Sequence, residues 1–278
     1  MKTVPSCVAL TLLLFRAAAG VQQPLVQGMN HTPIVVSDID KAQADFHAMG
    51  FTIKPGRLHP DGIRNAHVKF ADETELELIT APKGVDDLTT EYRRKLESGE
   101  GPVYYGLSVS DPAQLFAKAH TANLSLKSED GLLTFPVASP LHAIFFGKLE
   151  KVPTDRPEYF VHANTATRLS GFWVKDSQPL RDLFRTLDVP LSQTKPCGPL
   201  ASSATVAKLA KGDVYLVSQT IGPDILAARV NVRSILTAEK TLRSARFRPQ
   251  KFACDKTSLW LPPSVAHGIW LQFIQSPN

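Results

Sequence analysis

Polar side chains alternate with apolar ones along three short segments near the start of the chain. His31 begins the segment HTPIVV, Asn65 and His67 lie in NAHVKF, and Glu75 and Glu77 lie in ELELIT. If these segments are neighbouring strands of one sheet, the period of two places all five side chains on the same face. Because imidazole nitrogens and carboxylate oxygens bind Zn, Fe, Mn or Ni, this face could hold a divalent metal.

We expect His31 and Glu77 to bind such a metal, which would polarise an oxygen of a bound substrate. Glu77 is also a candidate catalytic residue, because a carboxylate could move a proton at an adjacent carbon. Asn65 and His67 are the candidate substrate-binding residues. Alternating polar residues also occur on sheet surfaces that face solvent, so that simpler interpretation stays open.

His59 is a second candidate catalytic residue, since it comes shortly before the strand that carries Asn65. It begins the segment HPDG, in which Pro60, Asp61 and Gly62 form a strong turn signal. His59 could therefore support a turn, or it could lie at the mouth of the polar face and hold an oxygen of the ligand.

The elements that must position these residues recur four times along the chain. Each unit has a short apolar strand, a capping residue and an amphipathic helix, and short strands follow. The predicted capping residues are Asp38, Asp111, Asp176 and Ser234. The strands predicted after the first helix are 51–53, 65–70 and 75–80. The pattern predicts an α+β fold of four repeated βαβββ modules, which pair into curved mixed sheets flanked by helices.

A further helix is predicted over 86–96, between the first and second units. The proline-bearing segment 153–157 separates the second unit from the third, and we place the domain boundary there. His162 and Asn164 follow this boundary and are interpreted as a structured linker.

After residue 26, nearly the whole chain resembles the glyoxalase-like domain proteins of the vicinal oxygen chelate superfamily, which includes glyoxalases, bleomycin resistance proteins and dioxygenases. The resemblance is carried by NHTPIVVSDIDKAQADFHAMGF, HPDGIRNAHVKF ahead of TELELI, HANTATRLSGFWVKD and AHGIWLQF. It implies one module pair over 27–152 and a second over 160–276. It also implies metal ligands on the first and last strands of a module, which here are His31 and Glu77.

The other modules depart from that ligand pattern. At the matching places they have Tyr104, the run Ile144, Phe145 and Phe146, then Leu169 and Gln272. The leading hypothesis is a metal-dependent lyase, isomerase or dioxygenase that acts on a small substrate with adjacent oxygens. The alternative is a protein of the same fold that binds or sequesters a small molecule without catalysis, and the missing ligands favour it. A purely structural or interaction module is a third possibility.

The first twenty residues have the charged start, short apolar core and small final residues of a secretory signal. We therefore expect a secreted or periplasmic protein, with the cytoplasm as the alternative if residues 1–20 are not a signal. Their removal leaves Cys197 and Cys254, which could form a disulfide in an oxidising compartment or remain two separate thiols.

The formal net charge is +5 at pH 7, and the basic residues are scattered along the chain. This pattern does not predict a nucleic-acid partner. The apolar run in residues 1–20 is too short for a stable membrane insertion. The expected partner is a small-molecule ligand, and assembly as a homodimer stays open.

Overall fold

The computed structural model describes residues 24–129, 131–200, 202–218 and 222–276. Its helices are α1 (Ile39–Ala48), α2 (Asp87–Glu97), α3 (Pro112–Thr121), α4 (Gln178–Thr186), α5 (Ile235–Ser244) and the 3-10 helix Pro157–Phe160. The strands of the first half are β1 (Val26–Met29), β2 (His31–Val35), β3 (Lys54–Leu58), β4 (Arg64–Lys69), β5 (Glu75–Thr80), β6 (Gly101–Pro102), β7 (Tyr105–Val109), β8 (Lys127–Glu129), β9 (Leu132–Thr134) and β10 (Ile144–Gly147). The strands of the second half are β11 (Ala166–Lys175), β12 (Leu191–Thr194), β13 (Ala204–Leu209), β14 (Gly212–Val217), β15 (Ile225–Val232), β16 (Gln250–Phe252), β17 (Asp255–Leu261) and β18 (Trp270–Gln275).

The four βαβββ modules are confirmed, and all four have the same strand order. In each module the first strand pairs parallel with the fourth, and the third strand pairs antiparallel with the second and the fourth. One helix therefore connects the first strand to the far edge of each module. The result is the mixed α+β architecture that the repeat predicts.

Side-chain caps start the helices that follow the first strand of each module. Asp38, Asp111 and Ser234 accept hydrogen bonds from backbone amides of the first helical turn, as predicted. In the third module the cap is Ser177 rather than Asp176. Asp176 instead binds the guanidinium of the nearby Arg181.

Two boundaries differ from those predicted. The second strand of module 1 is Lys54–Leu58 rather than 51–53, because Phe51 packs in the core and stacks on Phe273 of module 4 at 5.8 Å between ring centroids. Burial of the Phe51 ring therefore outweighs the strand propensity of segment 51–53. The connecting helix covers Asp87–Glu97, one residue later than predicted, because Asp86 is its N-cap.

The first strands of modules 1 and 2 meet along a ladder that is interrupted in the middle. β1 pairs antiparallel with β7, and β2 pairs antiparallel with β6, with Asn30 between β1 and β2. The equivalent strands of modules 3 and 4, β11 and β15, pair over their whole length in one eight-stranded sheet. The interruption divides the first half into two five-stranded sheets, with the start of β2 at their junction.

One hydrophobic core joins the two halves, and it contains buried residues from all four modules. Phe51 and Phe273 connect modules 1 and 4, whereas the rings of Tyr105 and Phe172 connect modules 2 and 3 at 5.3 Å. Cys197 and Cys254 form a disulfide with their Cα atoms 5.8 Å apart. This bond connects a loop of module 3 to a turn of module 4.

The segment between the halves is fixed to module 1. Thr52 N donates to His162 Nδ1 at 3.0 Å, and His162 Nε2 donates to Lys69 O at 2.9 Å. Asn164 Nδ2 donates to Met49 O at 3.0 Å. His162 and Asn164 thus act as a structured linker, and burial lowers the pKa of His162 so that its ring stays neutral.

The predicted signal, residues 1–20, lies outside the described residues. Within the described part of the chain, no helix has both the length and the apolar character that are needed to cross a bilayer.

Candidate functional site

The polar residues of module 1 lie on one face of its sheet. β2 pairs parallel with β5, and His31 and Glu77 point to the same side with His31 Nε2 3.9 Å from Glu77 Oε2. Thr32, Ile34 and Val36 point to the other side, where Ile34 and Val36 belong to the main core. The side chains of His31 and Glu77 are 23% and 13% exposed, so both are mostly buried but still accessible to solvent.

Asn30 determines which ring nitrogen of His31 carries a proton. Asn30 Nδ2 donates to the backbone oxygens of Gly147 and Lys148, at 3.1 and 3.2 Å. These two bonds leave Asn30 Oδ1 as the acceptor, 2.7 Å from His31 Nδ1. His31 therefore donates from Nδ1, and in the neutral ring the lone pair on Nε2 faces Glu77.

Asn65 positions Glu77. Asn65 Nδ2 donates to Glu77 Oε1 at 2.8 Å, and Asn65 Oδ1 accepts from Arg57 N at 3.0 Å. One carboxylate oxygen of Glu77 is thus occupied, while the other faces His31. Whether Asn65 also contacts substrate stays a prediction.

His67 belongs to a separate network of charged residues on the same face. His67 Nδ1 lies 3.4 Å from Glu75 Oε1, and Lys69 Nζ lies 2.9 Å from Glu75 Oε2. Asp155, from the segment between the halves, pairs with Lys69 and with Lys54. The side chains of both lysines and of Asp155 are at most 10% exposed, so each charge depends on its partners.

The pKa values in this network shift in the direction that keeps the ion pairs charged. Burial alone would raise the pKa of Glu75, but His67, His31 and Lys69 outweigh burial and lower it strongly. Burial alone would lower the pKa of His67, but the nearby carboxylates of Glu75 and Glu77 raise it. His67 Nδ1 thus lies close to Glu75 but makes no hydrogen bond to the described residues, and a role of His67 in substrate binding stays a prediction.

The structure places His59 in a tight turn, as its sequence context suggests. His59 N donates to Ile63 O at 2.7 Å, and Gly62 N donates to His59 O at 2.9 Å. The Nε2 atom of His59 is buried and has no hydrogen-bond partner among the described residues. A catalytic role of His59 stays a prediction.

The internal repeat identifies the residues of module 2 that correspond to His31 and Glu77. Counted from the helix caps, Tyr104 corresponds to His31, and the strand register then places Phe145 where Glu77 lies. The ring of Phe145 packs 4.7 Å from the ring of His31. Module 2 therefore supplies a phenol and a hydrocarbon ring where module 1 has an imidazole and a carboxylate.

A cluster that the sequence did not predict lies beside these residues. Glu91 of α2 accepts a hydrogen bond from the Tyr104 hydroxyl and contacts His142 Nε2 at 2.9 Å. Tyr92 of α2 is buried, and its ring lies 6.2 Å from the ring of Tyr104. Burial and Glu91 raise the pKa of Tyr104, so its hydroxyl stays protonated. Residues from a connecting helix carry no periodic signal that relates them to the strands, and sequence analysis missed them.

The corresponding face of modules 3 and 4 is filled by its own side chains. Trp173 Nε1 donates to Gln272 Oε1 at 3.0 Å, and Tyr215 stacks on Trp173 at 4.2 Å. Trp260 is fully buried against the same indole, 5.4 Å between centroids. Gln272, which departs from the family's ligand pattern, thus serves as a hydrogen-bond acceptor in an aromatic cluster.

The residues at the junction of modules 1 and 2 do not form a complete metal site. A centre at His31 Nε2 and Glu77 Oε2 needs a third donor. Tyr104 is hydrogen bonded to Glu91, and Phe145 presents only carbon. Among residues 24–129, 131–200, 202–218 and 222–276, no group of three or more His, Cys, Asp or Glu could hold a metal ion. The metal at His31 and Glu77 stays a prediction.

Comparison with known proteins agrees with this architecture. A family model described as "Glyoxalase-like domain" matches residues 29–183, more than half of the chain. A comparison with curated protein sequences finds no match.

Solved structures of low sequence identity share the fold. A hypothetical protein from Staphylococcus aureus has a TM-score of 0.62 at 12% identity, over 89% of this chain and 99% of that one. The 2,3-dioxygenase LapB from Pseudomonas sp. KL28 has a TM-score of 0.65 at 11% identity, over 92% and 94%. A mutant of 4-hydroxymandelate synthase from Streptomyces coelicolor has a TM-score of 0.60 at 12% identity, over 91% and 93%. The TM-scores support a shared fold, and the low identities leave the activity open.

Proposed function

The chain belongs to the glyoxalase-like domain family, and from this premise we propose that it binds a small molecule with adjacent oxygen atoms and moves a proton on it. The site is the junction of modules 1 and 2. The observation that carries the proposal is the lone pair of His31 Nε2, which faces Glu77 Oε2 across a gap of 3.9 Å.

His31 is the proposed base. Because Asn30 Oδ1 accepts a hydrogen bond from the N–H at Nδ1, the Nε2 atom is free to take a proton from a carbon next to a carbonyl group. The Glu77 carboxylate then stabilises the imidazolium that forms, since the two groups are partly buried and opposite in charge. Asn65 holds Glu77 in place through its other oxygen.

The surroundings favour a small ligand with polar atoms on one side. The ring of Phe145 packs against His31 and provides an apolar wall, whereas His31 and Glu77 provide the polar wall. The structural neighbours support adjacent oxygens in the ligand, because extradiol ring-cleaving dioxygenase and catechol 2,3-dioxygenase are among them.

Hydrogen–deuterium exchange of hydroxyacetone tests proton transfer without knowledge of the natural substrate. In D₂O the protein should speed the exchange of the CH₂ protons of hydroxyacetone, which ¹H NMR measures as a loss of their signal. His31→Gln should abolish this exchange. Glu77→Gln should slow it by about 100-fold, the lower end of the contribution of a positioned acid or base. His120→Gln changes an exposed histidine and serves as the matched control.

Acetone, with one oxygen, is the matched ligand control and should bind more weakly than hydroxyacetone. Saturable binding of hydroxyacetone without exchange would contradict catalysis and favour the alternative of a binding or sequestering protein. If hydroxyacetone shows neither saturable binding nor exchange, the proposed site is refuted.

A metal-dependent lyase or dioxygenase is the second candidate, favoured by the fixed tautomer of His31, which suits a metal ligand. Its weakness is the missing third donor. Metal analysis after dialysis against Zn²⁺, Fe²⁺, Mn²⁺ and Ni²⁺ tests it. Stoichiometric metal that is lost in both His31→Gln and Glu77→Gln would support it, and a metal-free protein would exclude it.

A further inference from the structure

Two pairs of a histidine and a carboxylate lie at the junction of modules 1 and 2. The first is His31 with Glu77, the proposed base and its partner. The second is His142, in the turn before β10, with Glu91 of α2. The side chains of His142 and Glu91 are each 22% exposed, so the second pair is also accessible to solvent and to a small molecule.

The second pair holds a proton. His142 Nδ1 lies 3.0 Å from Phe135 O, and because a carbonyl oxygen only accepts, this nitrogen is an N–H donor. His142 Nε2 lies 2.9 Å from both carboxylate oxygens of Glu91. A lone pair on Nε2 would repel the carboxylate at this distance, so a proton lies between the two groups.

The first pair has room for a proton instead. In the neutral ring of His31 the lone pair on Nε2 faces Glu77 Oε2, and their distance of 3.9 Å is too long for a hydrogen bond. The corresponding contact in the second pair is 1 Å shorter, 2.9 Å against 3.9 Å, and contains its proton already. One pair can therefore take a proton from a ligand, and the other can give one.

Two links across the junction bring the second pair close to His31. The ring of Phe145 packs 4.7 Å from the ring of His31, and Phe145 lies in β10, which begins shortly after His142. Thr32, the next residue after His31, donates from Oγ1 to Tyr104 O at 2.7 Å. The side chains of Tyr104 and His142 meet in turn, with their rings 5.4 Å apart.

Tyr92 of α2 lies between the two carboxylates. Burial raises the pKa of its hydroxyl, and the charges of Glu77 and Glu91 raise it further. Both carboxylates are thus within electrostatic reach of one buried hydroxyl, as expected if the two pairs border the same site.

We propose that His142 is the acid of the reaction in which His31 is the base, an inference that rests on the proposed function. His31 Nε2 takes a proton from the carbon next to the carbonyl group of the ligand. The electron pair of that C–H bond forms a C=C bond, and the π pair of the carbonyl group moves to its oxygen. This oxygen takes the proton from His142 Nε2, which gives a neutral enediol and a neutral His142.

The same groups then run the step in reverse. His142 takes its proton back from the oxygen, and His31 returns a proton to the carbon. In D₂O the imidazolium of His31 exchanges with solvent first, so the carbon gains deuterium. Glu91 and the Tyr104 hydroxyl bonded to it act as positioning residues, because they hold the Nε2 side of His142 in place.

The position of the proton is tested in the unmodified chain, without a substrate. Long-range ¹H–¹⁵N correlation spectra at neutral pH should show both ring nitrogens of His142 protonated. In Glu91→Gln the Nε2 atom should lose its proton, because a neutral amide no longer stabilises the charged ring. A His142 Nε2 without a proton in the unmodified chain, or one that keeps its proton in Glu91→Gln, overturns the proposal.

Deuterium exchange of hydroxyacetone tests the catalytic role. His142→Gln should slow the exchange by about 10²- to 10⁴-fold, the usual contribution of a positioned acid or base, while the concentration for half-saturation changes far less. His120→Gln alters an exposed histidine of the same module and should keep the wild-type rate.

The outcomes separate this proposal from the proposed function. If the wild-type protein catalyses exchange and His142→Gln does so at the same rate, His142 is not the acid, and the role of His31 as the base is unaffected. If the wild-type protein catalyses no exchange, the proposed function fails and this inference fails with it.

Discussion

Replacing Asn30 with Ala should both destabilise the protein and release the tautomer of His31. The variant loses three hydrogen bonds, which join Asn30 to His31 Nδ1 at 2.7 Å, to Gly147 O at 3.1 Å and to Lys148 O at 3.2 Å. At about 0.5–1.5 kcal/mol for each bond, the free energy of unfolding should fall by about 1.5–4.5 kcal/mol. Asn30 is only 7% exposed, so water can replace these partners only in part.

Two measurements check this prediction. Urea unfolding gives the change in free energy, and long-range ¹H–¹⁵N correlation spectra show which nitrogen of His31 carries the proton. Asn30→Asp is the matched variant: it keeps an acceptor for Nδ1 but faces two carbonyl oxygens with a carboxylate. It should therefore lose stability while it keeps the Nδ1–H tautomer. An Asn30→Ala protein that loses less than about 0.5 kcal/mol and keeps that tautomer would refute the reasoning.

Three further predictions concern the stability of the fold. Replacing Cys197 and Cys254 with Ser removes a cross-link over 57 residues and should lower the free energy of unfolding by up to about 4 kcal/mol in urea titrations; an unchanged midpoint would contradict this. Asp155→Ala leaves two buried lysines without their shared carboxylate and should cost about 3–5 kcal/mol by the same measurement, whereas a loss below about 1 kcal/mol would show that they find other partners. The pKa of Glu75 is lowered from 4.5 and that of His67 is raised from 6.5, so their pair should stabilise fully between these values. Its contribution should fall in acid as Glu75 gains a proton and above pH 6.5 as His67 loses one. A difference in the free energy of unfolding between wild type and Glu75→Gln that does not change with pH would argue against it.

The fold could be predicted from the sequence because its signals are local and repeated. Asp38, Asp111 and Ser234 each follow an apolar strand and cap a helix, and the same backbone arrangement results each time. The exception is the third module, where Asp176 and Ser177 are adjacent and both can cap. The hydrogen bond of Ser177 to the first turn and the pairing of Asp176 with Arg181 decide between them, and neither contact is visible in the sequence.

The candidate site could be predicted only in part. Alternation along strands correctly placed His31 and Glu77 on one face, because the direction of a strand side chain follows from its position. It could not show that His67 would lie next to Glu75, since residues on one face can pair in several ways. Nor could it locate Glu91, because the path of α2 depends on packing between elements that are distant in the sequence.

The segment between the halves belongs structurally to module 1, so the position at which the chain is divided matters. A fragment that ends at residue 152 would match the predicted first domain but would lack Asp155, His162 and Asn164. Lys54 would then lose its carboxylate partner, Lys69 would keep only Glu75, and the backbone of Met49 and Thr52 would lose the side chains that bond it. Truncated proteins, circular permutants and chimaeras should therefore keep residues up to 165 with the N-terminal half.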